Sequence, residues 1–279
     1  MESYGSDHGR DAAATVAADQ LSAAREMRQR VDGSGSSRAS AILQLWGAIV
    51  IPVYAWVFLF SFGPRMSQLT VLLLFPLLLF SSLVSGARER FGIRTRPRGR
   101  QWIVQVAALA AFVGLLALRV GSVDYPWWLD LAVPAAMLVA LAIHPIRQLE
   151  RARVKDTAPW TSRPLSGPAS FATVGIGVVS GLLVASSTLD WYPVASLVVM
   201  LGLLVALVAW RTSWGLPRTG FEWGPTHWVA FGVMMTTMFT LTALLSLTEW
   251  ITTPVSLAAG ILIAGIMSAV AFLPREERG

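Results

Sequence analysis

Two side chains of opposite charge, Arg119 and Asp130, form the strongest candidate for a polar site in this chain. Asp130 follows the aromatic pair Trp127-Trp128 near the start of one apolar segment, and Arg119 lies near the end of the segment before it. Arg119 can therefore reach Asp130, or Asp124 in the turn between them. Such a pair is either a pin that holds two helices together or one wall of a pocket. We favour the pin.

A second group of polar side chains lies in the segment 227–247. Thr236 and Thr240 are four residues apart, which places them on one helical face, and Met238 lies between them in the sequence. Threonine hydroxyls within a helix commonly bond back to a carbonyl of their own helix. Beside a flexible methionine, they could instead line a pocket for a small molecule or a lipid.

The remaining residue types exclude several classes of function. The sequence has 0 cysteines, which excludes disulfides, thiolate nucleophiles and cysteine-based metal sites. The three histidines, His8, His144 and His227, are scattered, and none has a carboxylate at metal-ligand spacing. The sequence also lacks a recognisable serine triad motif and a glycine-rich phosphate loop. We therefore predict no catalytic residues, no cofactor and no metal, and we predict that the protein is not an enzyme.

The elements that position these side chains are long apolar segments. Only 14% of the residues are charged and 54% are hydrophobic, whereas soluble domains contain about 25% charged residues. The mean hydropathy is +0.59. A membrane-spanning helix needs about 20 apolar residues. Eight segments are of this kind, namely 41–62, 67–86, 101–120, 127–145, 169–187, 192–210, 227–247 and 253–273. The predicted fold class is an all-α integral membrane protein with eight transmembrane helices in four antiparallel hairpins.

Basic residues are concentrated on one side of these segments. The turns on the other side hold only Arg65 and Arg119. Basic residues are retained in the cytoplasm, so both termini of this multi-pass protein are predicted to be cytoplasmic. The heavy use of Ala, Arg, Gly, Val and Leu indicates a GC-rich bacterial genome, so the predicted location is a bacterial cell membrane. The formal net charge of +6 then favours contact with anionic lipid head groups over nucleic acid. The basic residues of the rich side are Arg88, Arg90, Arg94, Arg96, Arg98, Arg100, Arg147, Arg151, Arg153, Lys155, Arg163, Arg211, Arg218, Arg275 and Arg278.

Similar turns recur at a nearly constant distance along the chain. Asp124 and Glu249 precede returning helices and are 125 positions apart, and Pro64 and Asp190 are 126 positions apart. This spacing predicts two four-span halves. Each half has an even number of spans, so the two copies would be parallel repeats, which occur in some transporters and also in proteins that transport nothing.

The predicted organisation follows from these spans. A cytoplasmic tail, 1–40, is partly helical and then flexible, and a short cytoplasmic end, 274–279, closes the chain. The first half is 41–145, the cytoplasmic connector is 146–168, and the second half is 169–273.

Small residues and prolines predict where helices approach closely or bend. Gly177 and Gly181 form a GxxxG spacing that suits a helix contact, more often inside one bundle than between two copies. Pro52, Pro76 and Pro134 fall in the middle of predicted spans, all in the first half. The oligomeric state does not follow from these patterns.

The chain resembles a family at the level of topology and arginine placement. An Ala/Arg-rich tail is followed by a short hairpin, an Arg-rich turn with the central pair Gly92-Ile93, and a second hairpin. This arrangement resembles the small uncharacterised four-span membrane proteins of high-GC Gram-positive bacteria, with the unit present twice here. The resemblance implies a membrane location but no site residues, because the function of that family is not established.

Two functions are consistent with these observations. The first is a non-enzymatic scaffold, sensor or regulator that acts through a protein partner, and it rests on the missing chemistry and the Arg-rich connectors. The second is a transporter or permease for a small apolar molecule or a lipid, and it rests on the repeats, the prolines and the Thr/Met segment. A cavity between the halves would favour transport, and a solid bundle would favour a regulator.

Overall fold

The structure, a computed structural model, describes residues 38–61, 66–90, 99–151, 160–209, 212 and 215–278. The predicted tail, 1–40, lies outside this part of the chain except for its last three residues. The elements within it are α1 (Arg38–Phe60), α2 (Met66–Arg90), α3 (Gly99–Val120), α4 (Leu129–Arg151), β1 (Trp160–Arg163), α5 (Gly167–Ser186), α6 (Tyr192–Val208), α7 (Leu216–Glu222), α8 (Pro225–Leu247), α9 (Thr253–Val270) and β2 (Arg275–Arg278).

Seven of these helices are long and apolar enough to cross a membrane, which confirms the prediction of an all-α, multi-pass membrane protein. They are α1 to α5, α8 and α9. The remaining predicted span corresponds to α6, which is apolar but has 17 residues. At 1.5 Å per residue α6 is about 26 Å long, close to the roughly 30 Å of a hydrocarbon core.

Prolines lie inside three of the long helices. Pro52 is in α1, Pro76 is in α2, and Pro134 and Pro145 are both in α4. Because α4 continues through Pro145 to Arg151, it extends beyond the predicted end of the fourth span at residue 145.

The most extensive contact between two helices is that of α5 with α9, and the second most extensive is that of α1 with α4. Small residues permit the first of these contacts. A Cβ atom added at Gly177 would collide with Met267, and one added at Gly181 would collide with the carbonyl of Gly260. In membranes such close approach compensates for the weak hydrophobic drive between helices.

The centre of the bundle is formed by α2 and α8, which pack against each other and against helices of both ends of the chain. We call the contact between α2 and α8 the seam. The core around it is apolar and includes the fully buried residues Leu72, Leu73, Leu83, Phe231, Met234, Met235 and Met238.

Two helices lie at the periphery. Most of α3 is exposed, and its contacts within the described part of the chain are chiefly with α4. One face of α6 is also exposed, including Val194, Leu197, Val198, Leu201, Leu204, Val205 and Val208. Exposed apolar side chains are expected where lipid is the solvent.

A two-stranded antiparallel ribbon, which the sequence did not predict, joins the two ends of the predicted second half. β1 precedes α5 and β2 follows α9, with Trp160 paired to Arg278 and Arg163 paired to Arg275. The ribbon therefore brings the start of α5 and the end of α9 together, in agreement with their close packing.

Candidate functional site

The turn between α3 and α4 holds the predicted polar pair. Helix α3 ends in a tight reversal in which Val123 N donates to Leu118 O at 3.0 Å. Ser122 has a φ of 53°, the left-handed conformation that usually follows a helix end of this kind. This reversal directs the chain back, so that the last turn of α3 and the first turn of α4 lie side by side.

The structure brings Arg119 and Asp130 together across this turn. Arg119 Nη1 donates to Asp130 Oδ2 at 2.7 Å and to the Tyr125 hydroxyl at 3.1 Å. The Tyr125 hydroxyl in turn donates to Asp130 Oδ1 at 2.9 Å. Both oxygens of the buried carboxylate are therefore occupied, and the three side chains form a closed triangle. This geometry agrees with the pin, since charge-assisted bonds of this kind fix two helix ends.

A shallow pocket of about 390 Å³ opens beside the triangle. Its wall contains Arg119, Ser122, Val123, Asp124, Tyr125, Trp127 and Asp130. Asp124 is exposed, and the Trp127 ring is 75% exposed. The same residues thus form both the pin and one wall of a pocket.

The structure does not bring together the three predicted residues of α8. Thr236 and Thr240 share a face, but that face is exposed, whereas Met238 is fully buried in the core. Thr237 and Thr242 bond to the carbonyls of Val233 and Met238 in their own helix at 2.9 and 2.8 Å. A pocket that combines the two exposed threonines with Met238 is therefore not formed, because residues two apart on a helix point in different directions.

Gly177 and Gly181, predicted as a helix contact, face α9 of the same chain. Gly260 lies opposite Gly181, and the Cβ atom of Ala264 is also close to it. These glycines are therefore buried in an intramolecular contact.

A cluster of polar and aromatic residues, buried only in part, lies around α7, and the sequence analysis did not predict it. We call it the α7 cluster, formed by Arg90, Ser166, Thr173, Arg218, Glu222, Trp223 and His227. Helix α7 packs against the end of α2 so closely that a Cβ atom at Gly220 would collide with the Leu83 carbonyl, and one at Gly86 with the Pro217 carbonyl.

Charged side chains attach α7 to two other helices. Arg90 at the end of α2 donates to the carbonyls of Phe221 and Trp223 at 3.4 and 3.0 Å, where α7 ends. Glu222 is buried, accepts a hydrogen bond from Ser166 N at 2.9 Å and pairs with Arg218 at 3.2 Å. Ser166 is the N-cap of α5, so Glu222 also satisfies a free amide at the start of that helix.

Two aromatic residues after α7 complete the cluster. Trp223 Nε1 donates to Thr173 Oγ1 at 2.9 Å, and Gly224 N donates to His227 Nδ1 at 3.3 Å. Trp223 is 2% exposed, so its ring is buried inside the bundle. His227 is fully buried, and its Nε2 makes no hydrogen bond within the described residues.

One sequence signal could have indicated the cluster. Glu222 is the single acid between residues 211 and 226, and it lies among Gly215, Gly220 and Gly224. Glycines at such short intervals permit close contact of a helix with its neighbours, and an isolated acid among arginines favours an ion pair.

Within the described residues, no three His, Cys, Asp or Glu side chains are grouped closely enough to hold a metal ion. No protein-family model, curated protein or solved structure matches the chain. The side chains and their packing are therefore the basis for a functional conclusion.

Proposed function

We propose that the chain crosses a bacterial cell membrane eight times, with both termini cytoplasmic, as two parallel four-helix halves. The helix starts support the duplication. Helix α6 begins 126 positions after α2 (192 against 66), α8 begins 126 after α3 (225 against 99), and α9 begins 124 after α4 (253 against 129). Helix α5 begins 129 positions after α1 (167 against 38), so each apolar helix of the first half has a counterpart in the second half.

The packing inside the two halves also corresponds. In the first half the first and fourth helices, α1 and α4, pack most closely, and the third and fourth, α3 and α4, come next. In the second half the corresponding pairs, α5 with α9 and α8 with α9, have the same order. A shared arrangement of this kind is expected from duplication of one four-helix unit.

Within this membrane, we propose that the protein is a non-enzymatic scaffold, sensor or regulator that acts through partners. The observation that carries the proposal is the filled seam. Large side chains with almost no exposure, such as Leu72, Leu73 and Met238, occupy the core around α2 and α8. In repeat transporters the substrate site lies near the membrane centre between the repeats, and the space at this position is occupied here.

The buried polar groups also support a role other than transport. Buried hydroxyls within the helices, including Thr173, Ser180 and Thr242, donate to carbonyls of their own helices. The buried carboxylates, Asp130 and Glu222, lie at a helix start and a helix end and have paired partners. Ion-coupled transport usually needs an ionisable group at mid-depth, and these groups are elsewhere.

The proposal assigns the contact with partners to the cytoplasmic side. The α7 cluster fixes α7 rigidly to α2 and α5, and Arg218 is exposed on it. Arginines of the connectors, such as Arg88 and Arg147, are also exposed and suit anionic lipid head groups. A protein partner would then meet a rigid, basic surface next to the membrane.

A transporter or permease for a small apolar molecule or a lipid remains the alternative, because the pocket beside Arg119 and Asp130 would open on the outer side. Lipid scrambling distinguishes the two roles. The full chain is reconstituted into vesicles that contain a fluorescent nitrobenzoxadiazole-labelled phospholipid, and bleaching by dithionite reports how much label reaches the outer leaflet. A scaffold or regulator should bleach to the same extent as protein-free vesicles. Proton and small-anion leak can be followed in the same vesicles with a trapped pH-sensitive dye.

The control for this experiment is a pair of variants. Scrambling or leak that Asp130→Asn abolishes, while Thr240→Leu leaves it intact, would support the permease and overturn the regulator. Asp130 lines the pocket, whereas Thr240 is on the exposed face of α8, so the two variants separate a pathway through the pocket from general leakiness.

A further inference from the structure

We propose that the pocket beside the triangle of Arg119, Tyr125 and Asp130 binds a quaternary ammonium group, such as that of choline or of a phosphatidylcholine head group. The proposal goes beyond the role suggested above, because a scaffold needs no small ligand, whereas a sensor would receive its input at such a site. It depends on which charges in the wall of the pocket are already paired and which side chains remain available to a ligand.

The charges in the wall of the pocket leave one carboxylate available. Arg119 and Asp130 are paired at 2.7 Å, so their opposite charges offset each other. Asp124 also lines the pocket, is exposed, and makes no hydrogen bond or ion pair within the described residues. One guanidinium and two carboxylates give the wall a single net negative charge. This charge attracts a cation and repels an anion.

Aromatic residues favour a particular kind of cation. Tyr125 and Trp127 both line the pocket, and Trp127 is 75% exposed. The hydroxyl of Tyr125 is already engaged by Arg119 and Asp130, so a ligand would meet its ring. The face of an aromatic ring attracts cations, and quaternary ammonium groups are the ligands that aromatic sites commonly bind in this way. A primary amine is more strongly hydrated and loses more on entering such a site.

The size of the pocket suits an organic cation better than a metal ion. Its volume is about 390 Å³, which falls within the range of about 300–1,000 Å³ for small-molecule sites. A calcium ion needs about six to eight oxygen ligands. In the part of the chain that the structure describes, no three acidic or histidine side chains are grouped closely enough to hold a metal ion.

The pocket lies where water and lipid head groups meet. Its wall is formed by the turn after Val120, where α3 ends, and by the first turn of α4. Trp128, beside the pocket residue Trp127, is exposed, as is typical of tryptophans at the membrane–water interface. Both a soluble molecule and a lipid head group can therefore present a quaternary ammonium group to Asp124 and Trp127, and the experiment has to distinguish these two sources.

Fluorine NMR of the full chain, labelled with fluorotryptophan, tests the proposal at the pocket itself. The chain has 12 tryptophans, and the signal of Trp127 is identified by its loss in Trp127→Phe. Choline is titrated into the protein in a maltoside detergent, which contains no ammonium group. We expect a saturable shift of the Trp127 signal. The neutral isostere of choline, in which carbon replaces the charged nitrogen, should produce no such shift.

Two matched variants test the role of the free carboxylate. Asp124→Asn should weaken the binding of choline by about threefold, which is the usual effect of losing one exposed ion pair. Asp190→Asn should leave it unchanged, because Asp190 and Trp191 are an exposed acid and tryptophan in another turn, outside the pocket. No saturable shift of Trp127, an equal response to the neutral isostere, or equal weakening by both variants would each overturn the proposal.

Lipid nanodiscs identify the source of the ammonium group. A Trp127 shift that phosphatidylcholine nanodiscs produce without added choline, and that phosphatidylglycerol nanodiscs lack, would support a lipid head group as the ligand. A shift that appears in phosphatidylglycerol nanodiscs only after choline is added would support a soluble ligand. These titrations are independent of the scrambling and leak measurements, so failure of the ammonium site is distinguishable from failure of the scaffold or regulator.

Discussion

Gly181 and Gly260 lie opposite each other where α5 packs against α9, and each glycine faces the main-chain carbonyl of the other. A backbone carbonyl cannot rotate away as a side chain can, so the distance between the two helices depends on the absence of a Cβ atom at both positions. In the proposed two-half arrangement the contact belongs to the second half, and α1 and α4 would form the corresponding pair in the first half.

Gly181→Ala should therefore lower the free energy of unfolding by about 1–3 kcal/mol, as overpacking of a close contact usually does. Thermal unfolding in detergent, followed by tryptophan fluorescence, measures the effect. The matched control is Gly175→Ala in the same helix, since Gly175 has no neighbour within 4 Å of an added Cβ atom. Equal midpoints for both variants would show that the α5–α9 contact is looser than described.

The triangle of Arg119, Tyr125 and Asp130 should stabilise the α3–α4 turn. Asp130→Asn removes one charge and leaves the guanidinium without its ionised partner, so we expect a loss of about 1–3 kcal/mol. Asp124→Asn, in the same turn and on an exposed residue, should change stability by less than about 0.5 kcal/mol. The comparison is made by thermal unfolding in the same detergent, and an effect of similar size for both variants would contradict a structural role of the triangle.

The buried Glu222 should hold α7 in place. Glu222→Leu removes the acceptor for Ser166 N and the partner of Arg218, so α7 should detach more often. If the lost interactions amount to about 1.4 kcal/mol, trypsin cleavage after Arg218 in detergent-solubilised protein should become about tenfold faster. Glu222→Gln keeps an oxygen that can accept from Ser166 N and should give an intermediate rate. Unchanged cleavage in Glu222→Leu would mean that the carboxylate does not anchor this helix.

The two faces of α8 should respond differently to the same substitution. Thr240→Leu changes a residue on the exposed face and should leave thermal stability unchanged, because leucine suits lipid as well as threonine does. Thr242→Leu places extra volume in a fully buried position, so a loss of about 1–3 kcal/mol is expected. A destabilising Thr240→Leu together with a neutral Thr242→Leu would reverse the assignment of these faces.

Much of the helical fold could be predicted from the sequence because hydropathy depends on local composition. The apolar segments correspond to the long helices, and Pro52, Pro76 and Pro134 lie within helices, as their positions suggested. The predicted positions of the helix ends were less accurate. The fourth span was predicted to end at Pro145, but α4 continues to Arg151, since neighbouring groups in a bundle can tolerate a proline inside a helix.

Contacts between distant residues were harder to predict. The contact between Arg119 and Asp130 could be predicted because the two residues lie on either side of one turn. The contact between Glu222 and Ser166 could not, because these residues are 56 positions apart. Trp223 is buried because its ring packs against Thr173 of α5 and against Trp228 and Phe231 of α8, and the local sequence does not reveal these contacts. Thr236, Thr240 and Met238 were grouped by proximity in sequence, but the side of α8 that faces the core separates them.

The central claim is that α6 crosses the membrane and so completes two parallel four-helix halves with both termini in the cytoplasm. Single cysteines in the cysteine-free chain, Asp190→Cys before α6 and Thr212→Cys after it, can be labelled in intact cells with a membrane-impermeant maleimide. The account predicts labelling of Asp190→Cys alone, with Thr212→Cys labelled only after the cells are opened. Labelling of both positions, or of neither, in intact cells would place the two ends of α6 on one side and contradict the eight-span architecture.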